Sequence, residues 1–150
     1  MWLESYLDKN LAVANMAATS KKRVLENIAK LFADKYPQVN EDALYQNLIG
    51  RERLGSTGLG DGIAIPHCRF DTGGDTLCAC ITLENAIDFD AVDQAPVDII
   101  IAMIVPDGAE SDHLEKLAAL AAAIQEPRYV KSLRDATDSQ ALYSAATIDT

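Results

Sequence analysis

A chain of 150 residues and 16.2 kDa has room for one ordinary domain, and size scaling lets roughly two-thirds of its surface be buried on folding. Its 49% hydrophobic and 24% charged residues exclude wholesale disorder, and no apolar run, Ile99 to Val105 included, approaches the ~20 residues of a membrane span. A net charge of −10 and a pI near 4.5 argue against binding nucleic acid, which needs a basic patch.

In chain order, Leu3 to Leu7 reads as a short helical turn and Leu11 to Met16 as a strand. Ser20 is placed to cap a helix from Lys21 to Lys35, with Val24, Ile28, Leu31 and Phe32 on one face and Pro37 beyond its end. Asn40 should cap a second helix, Glu41 to Arg53, with acids at its start, arginines at its end and Gly55 as a left-handed cap. Glycines 58, 60 and 62 then punctuate a tight loop, and Ile63-Ala64-Ile65 is a short strand halted by Pro66. Thr76 to Leu83 alternates, with Cys78 and Cys80 on one face. Val97 to Val105 has the continuous aliphatic character of a strand buried on both sides. Asp112 and Glu115 form a capping-box pattern for a helix carrying Leu117, Leu120, Ala121 and Ile124, and Pro127 and Asp138 begin two more helices. The expected fold is an α/β sandwich with α+β character: one domain over residues 1–150, with a central mixed sheet flanked by helices.

Charge and cysteines set the surroundings. From Phe70 to Glu115 there are eleven acids and neither Lys nor Arg, which suits a solubilising surface or a face that attracts a basic partner. The three cysteines do not form a disulfide framework or a zinc-ribbon pattern, and the start of the chain lacks the features of a secretory signal. A reduced, cytoplasmic protein without membrane insertion is expected.

Only two histidines are present, His67 and His113. Pro66 cannot donate to a sheet ladder, so His67 should stand at a strand end or along an edge, carried to the surface on a rigid stalk. With Asp112 as cap, His113 would open a helix whose unpaired N–H groups suit an anion. Arg51 would lie near the end of the second helix. Each has a plain structural alternative: a partly exposed strand-end histidine, a solvent-facing first-turn residue and a dipole-compensating charge. Together, two imidazoles, a guanidinium and a glycine-rich loop suit phosphoryl chemistry, with a ring nitrogen as nucleophile. Other chemistries fit less well. The loop lacks the Gly-Lys-Ser/Thr of a P-loop, no dinucleotide fingerprint is present, and no motif supports Cys68 as a nucleophile. His67, Cys68 and His113 lack a recognised metal-ligand spacing.

The stretch Glu52 to Cys68, ERLGSTGLGDGIAIPHC, resembles the phosphorylation segment of the fructose/mannitol-type enzyme IIA family of the phosphoenolpyruvate-dependent phosphotransferase system. The pattern is an acid or amide, six spacers, aliphatic-Gly, two residues, then aliphatic-Ala-aliphatic-Pro-His and a small residue, here Cys68 where glycine is usual. Arg51, the segments 88–93 and 95–98, Val105-Pro106 and His113-Leu114 extend the resemblance over nearly the whole chain. It is strongest to the nitrogen-regulatory branch of free-standing phosphocarriers.

The resemblance implies a type-2 enzyme IIA domain over residues 1–150, acting as a phosphotransferase component with a mainly regulatory role. His67 would be phosphorylated on Nε2 by an HPr/NPr-type carrier, with Arg51 and His113 supporting the phosphoryl group and no cofactor or metal required. Ser56 and Thr57 match the family loop without a separate role. Partners would be regulatory targets, or a IIB domain if the chain is instead a sugar-specific IIA component; the lack of a fused domain or membrane segment leans to the regulator. A non-catalytic interaction or metal-binding module is the alternative of another class.

Overall fold

The computed structural model of the protein describes residues 3, 6–107 and 110–148, with the side chains of residues 110–113 excepted. Its elements in order are β1 (Leu7–Met16), α1 (Lys21–Lys35), α2 (Glu41–Leu54), β2 (Gly58–Gly60), β3 (Ile63–Ala64), β4 (His67–Arg69), β5 (Leu77–Ile87), β6 (Val97–Val105), α3 (Glu110–Ala123), α4 (Pro127–Asp135) and α5 (Ser139–Thr147). The strands make one mixed sheet in the order β1-β5-β6-β3-β2, with β4 also on β6. β1 runs parallel to β5, β5 antiparallel to β6, and β3 and β4 parallel to β6. The expected mixed sheet with flanking helices is present.

Local chemistry accounts for the boundaries. The Ser20 hydroxyl accepts from Arg23 N–H at 3.1 Å, and the Asn40 side chain from Ala43 N–H at 2.9 Å. Each satisfies an orphan donor at the start of a helix, an arrangement worth about 1 kcal/mol. Asp138 does the same for α5 through Ala141 N–H at 2.8 Å. β6 is buried at every position except Asp98, and β5 is buried from Leu77 to Leu83, so the sheet must be covered on both faces. α1 packs on β1, β5 and α2, while α4 and α5 pair with each other and lie against β6, β1 and β5. Tyr129 of α4 neighbours Cys78 and Cys80, and its hydroxyl donates to the Ala146 carbonyl of α5 at 2.8 Å. Burial pushes all three cysteine thiols up to about 12, so they stay protonated apolar filler.

Several boundaries differ from those expected. β1 starts at Leu7, not Leu11, because a register shift between Leu7 and Ala12 turns the polar Asp8-Lys9-Asn10 outward without ending the pairing. Residues 4 and 5 of the expected helical turn lie outside the described residues. Gly55 ends α2, but at φ 158° and ψ 142° its backbone is not left-handed. Glu110 opens α3, so Asp112 lies inside the helix and not at its cap, and His113 is not its first residue. β2 was not anticipated, since a Gly-Leu-Gly strand shows no alternation.

Pro66 does not end the strand line. Ile63 and Ala64 pair with Ile99 and Ile100, and His67 to Arg69 resume with Met103 to Val105 at the same offset. Pairing lapses only at Ile65 and Pro66, so His67 stands where the line restarts.

Candidate functional site

His67 is held by the break that precedes it. Pro66 has no N–H, although its carbonyl accepts from Met103 N–H at 2.9 Å and keeps the register. Ile65 turns its N–H to the Thr57 carbonyl at 3.0 Å, and its own carbonyl lies 2.7 Å from His67 Nδ1. A carbonyl only accepts, so Nδ1 carries the hydrogen, and the neutral ring has its lone pair on Nε2. The ring is half-buried and not carried clear of the surface as expected. Burial pushes its pKa below the ordinary 6.5; the Ile65 hydrogen bond opposes this, and the Arg51 charge lowers it further.

Arg51 reaches this place from α2, which packs against β4. Asn47, one turn earlier, donates to the Arg69 carbonyl at 3.5 Å, and Arg51 Nη1 donates to the Gly55 carbonyl at 2.8 Å. The structure therefore brings Arg51 and His67 together. His113 lies on α3, but its side chain lies outside the described residues, as do those of Glu110 and Asp112. Cys68 is buried and alternates with His67 along β4, so its thiol faces away from the imidazole. Among the described residues no group of three His, Cys, Asp or Glu could hold a metal ion.

The glycine-rich loop is fixed from both ends. A Cβ on Gly58 would sit 2.9 Å from both Cα and Cβ of Ala91, so only glycine lets β2 approach the 88–93 segment this closely. Gly62 has φ +81°, and a Cβ there would meet Arg134 Nη2 at 2.7 Å and Asp98 Oδ1 at 2.9 Å. Those two side chains form a bidentate pair, and Arg134 also donates to the Asp61 carbonyl at 3.1 Å. Ser56 Oγ donates to the Phe89 carbonyl at 2.8 Å and accepts from Gly58 N–H at 3.0 Å. The Asp93 carboxylate accepts from Ala95 and Asp61 N–H, both at 3.0 Å, which holds its pKa below the ordinary range.

Sequence reasoning missed Glu52 as a site residue, seeing only the acid or amide that opens the motif. Its side chain is 1% exposed and lies 2.9 Å from Lys21 Nζ. It accepts from Thr57 N–H at 3.2 Å and from the Thr57 hydroxyl. Lys21 also lies over the Phe89 ring. Six residues of spacing between a carboxylate and the aliphatic-Gly step gave the only hint that residue 52 folds back on the loop.

Of the eleven acids between Phe70 and Glu115, Asp71, Asp75, Glu84, Asp88, Asp90, Asp93, Asp107 and Glu115 are exposed. Asp98 is half-buried against Arg134. Asp71 and Asp107 follow the adjacent ends of β4 and β6 beyond the Arg69–Val105 pair, a few residues from His67. No described helix is long and apolar enough to cross a membrane.

The chain is similar to known proteins along nearly its whole length. Residues 5–147 match the family described as phosphoenolpyruvate-dependent sugar phosphotransferase system, EIIA 2. A nitrogen regulatory protein of Pseudomonas aeruginosa is 43% identical over 141 residues, covering 94% of this chain and 92% of that one. The crystal structure of nitrogen regulatory protein IIA-Ntr from Neisseria meningitidis superposes with a TM-score of 0.90 at 31% identity, over 98% of this chain and 100% of that one. The IIA mannitol structure from Escherichia coli shares the fold, with a TM-score of 0.73 at 16% identity over 93% and 96% of the two chains. The chain belongs to the EIIA 2 family of the phosphoenolpyruvate-dependent phosphotransferase system, within its nitrogen-regulatory branch.

Proposed function

We propose that the protein is a cytoplasmic phosphohistidine carrier and regulator. It takes a phosphoryl group from an HPr/NPr-type donor onto Nε2 of His67, and partner proteins respond to whether His67 is phosphorylated. The observation that carries this reading is the 2.7 Å contact of Nδ1 with the Ile65 carbonyl on a ring that burial keeps neutral. Neutral imidazole can attack phosphorus in line: the Nε2–P bond forms as the donor's N–P bond breaks, and the proton stays on Nδ1, donated to the Ile65 carbonyl. Arg51 offers a guanidinium to the phosphoryl oxygens, and His113 on α3 is assigned the second supporting role. Phosphorylation brings an added negative charge of about −1.5 to −2 into an acidic surface, a local change large enough to alter partner choice.

The test is label transfer from a phosphorylated HPr-type carrier, followed by capture of extract proteins on the phosphorylated form and on His67→Ala. One phosphoryl group per chain, none on His67→Ala, and different partners for the two forms are expected. Passage of the phosphoryl group to a IIB protein, with no partner preferring one form, would identify a sugar-uptake component instead. Undiminished uptake by His67→Ala would end the assignment.

A further inference from the structure

The imidazole does not set its own tautomer; the groups behind it do. Ile65 is the residue through which they act. Its N–H is committed to the Thr57 carbonyl at 3.0 Å and its C=O lies 2.7 Å from His67 Nδ1, so the orientation of the Ile65 backbone favours hydrogen on Nδ1. Thr57 is buried and is held by its N–H at 3.2 Å from each Glu52 oxygen and by its hydroxyl on Oε1. Glu52 is anchored in turn by Lys21 at 2.9 Å, across from the first turn of α1. The Ile65 carbonyl is available to the ring because pairing with β6 lapses at Ile65 and Pro66.

We infer that Glu52 is a positioning residue for His67: acting through Thr57 and Ile65, it holds the imidazole in the Nδ1–H form and aims Nε2. This rests on the carrier reading only where the consequence is a rate. Glu52 touches no reacting atom. It is also next to Arg51 on α2, so the same anchor steadies the helix end that carries the guanidinium. An amide oxygen could accept from Thr57 as well as a carboxylate does, which gives a physical reason for the acid-or-amide position in the motif. The charge is needed to match Lys21, and the acceptor is needed for the relay.

The two roles separate by substitution. Nitrogen-15 NMR of the unphosphorylated protein reports which ring nitrogen of His67 bears hydrogen, and His67→Ala assigns the signals. The wild type should show the Nδ1–H form. Glu52→Gln should keep that form and transfer within about threefold of wild type, because an acceptor remains. Glu52→Ala should move the tautomer toward Nε2–H and lower kcat for transfer between about ten- and a hundredfold, with KM for the carrier unchanged. Lys21→Met combined with Glu52→Met removes both charges at similar volume, a kind of change buried ion pairs often tolerate without loss of stability. That double variant should show the same tautomer shift, and it carries the test if Glu52→Ala does not fold. A wild-type tautomer and kcat in the folded acceptor-free variants would overturn the relay. If the wild type takes no phosphoryl group, the carrier reading fails, and the tautomer still decides the relay.

Discussion

Lys21→Met should destabilise the protein by about 3 kcal/mol, the lower end of the range for removing one partner of a buried ion pair. The lower end applies because Glu52, at 1% exposure, keeps its hydrogen bonds to Thr57, and because the Lys21 site is 17% exposed and admits some water. The second acid near Lys21, Asp90 at 3.7 Å, is 76% exposed and contributes little. For a chain of this length, 3 kcal/mol corresponds to a drop in Tm of roughly 6–12 °C. Urea unfolding should show the midpoint falling with an unchanged slope. Adding Glu52→Gln to Lys21→Met removes the stranded charge and should recover more than half of the loss. A Lys21→Met variant within about 0.5 kcal/mol of wild type, or no recovery in the double variant, would refute the view that this pair anchors the loop.

Four further outcomes follow from the site. Because burial first, and Arg51 in addition, lower the His67 pKa, transfer measured against pH should hold its plateau below pH 6.5 and fall only as the ring protonates. The same shift makes the unfolded chain the better proton acceptor, so the stability due to His67 is complete above 6.5 and is lost as pH falls toward the folded value, as denaturation at several pH values would show. Arg51→Ala and His113→Ala should each slow transfer by about 10²–10³ without abolishing it; wild-type rates in stopped assays would return both to ordinary surface groups. Association with the donor should slow as ionic strength rises, and Asp71→Asn with Asp107→Asn should flatten that dependence, since both acids are exposed beyond the strand ends next to His67.

The long aliphatic strand and both early helices were legible because each carries one dominant signal. Val97 to Val105 is apolar throughout, and Ser20 and Asn40 stand directly before amphipathic runs. Where two signals competed, the boundaries moved. The polar residues 8–10 hid the first half of β1, and the Asp112/Glu115 spacing suggested a cap that the helix start at Glu110 bypasses. At the site, His67 stood out by motif and Arg51 by helix position, but their proximity depends on α2 packing against β4, a contact between distant parts of the chain. Glu52 was hidden for a related reason. A carboxylate in the last turn of a helix reads as solvated until the chain is seen to fold back and bury it against Thr57 and Lys21. Asp93 is similar, an apparent member of an acidic surface whose oxygens accept from the glycine loop and its own turn.

The central claim is that His67 carries the phosphoryl group on Nε2. Phosphorus-31 NMR with nitrogen-15-labelled histidine, recorded after treatment with a phosphorylated HPr-type carrier, reads this directly. The account predicts one phosphohistidine signal, coupled to Nε2 of His67, with Nδ1 still bearing hydrogen and no signal in His67→Ala. Coupling to Nδ1, a signal that survives in His67→Ala, or no incorporation into the folded wild type would contradict it.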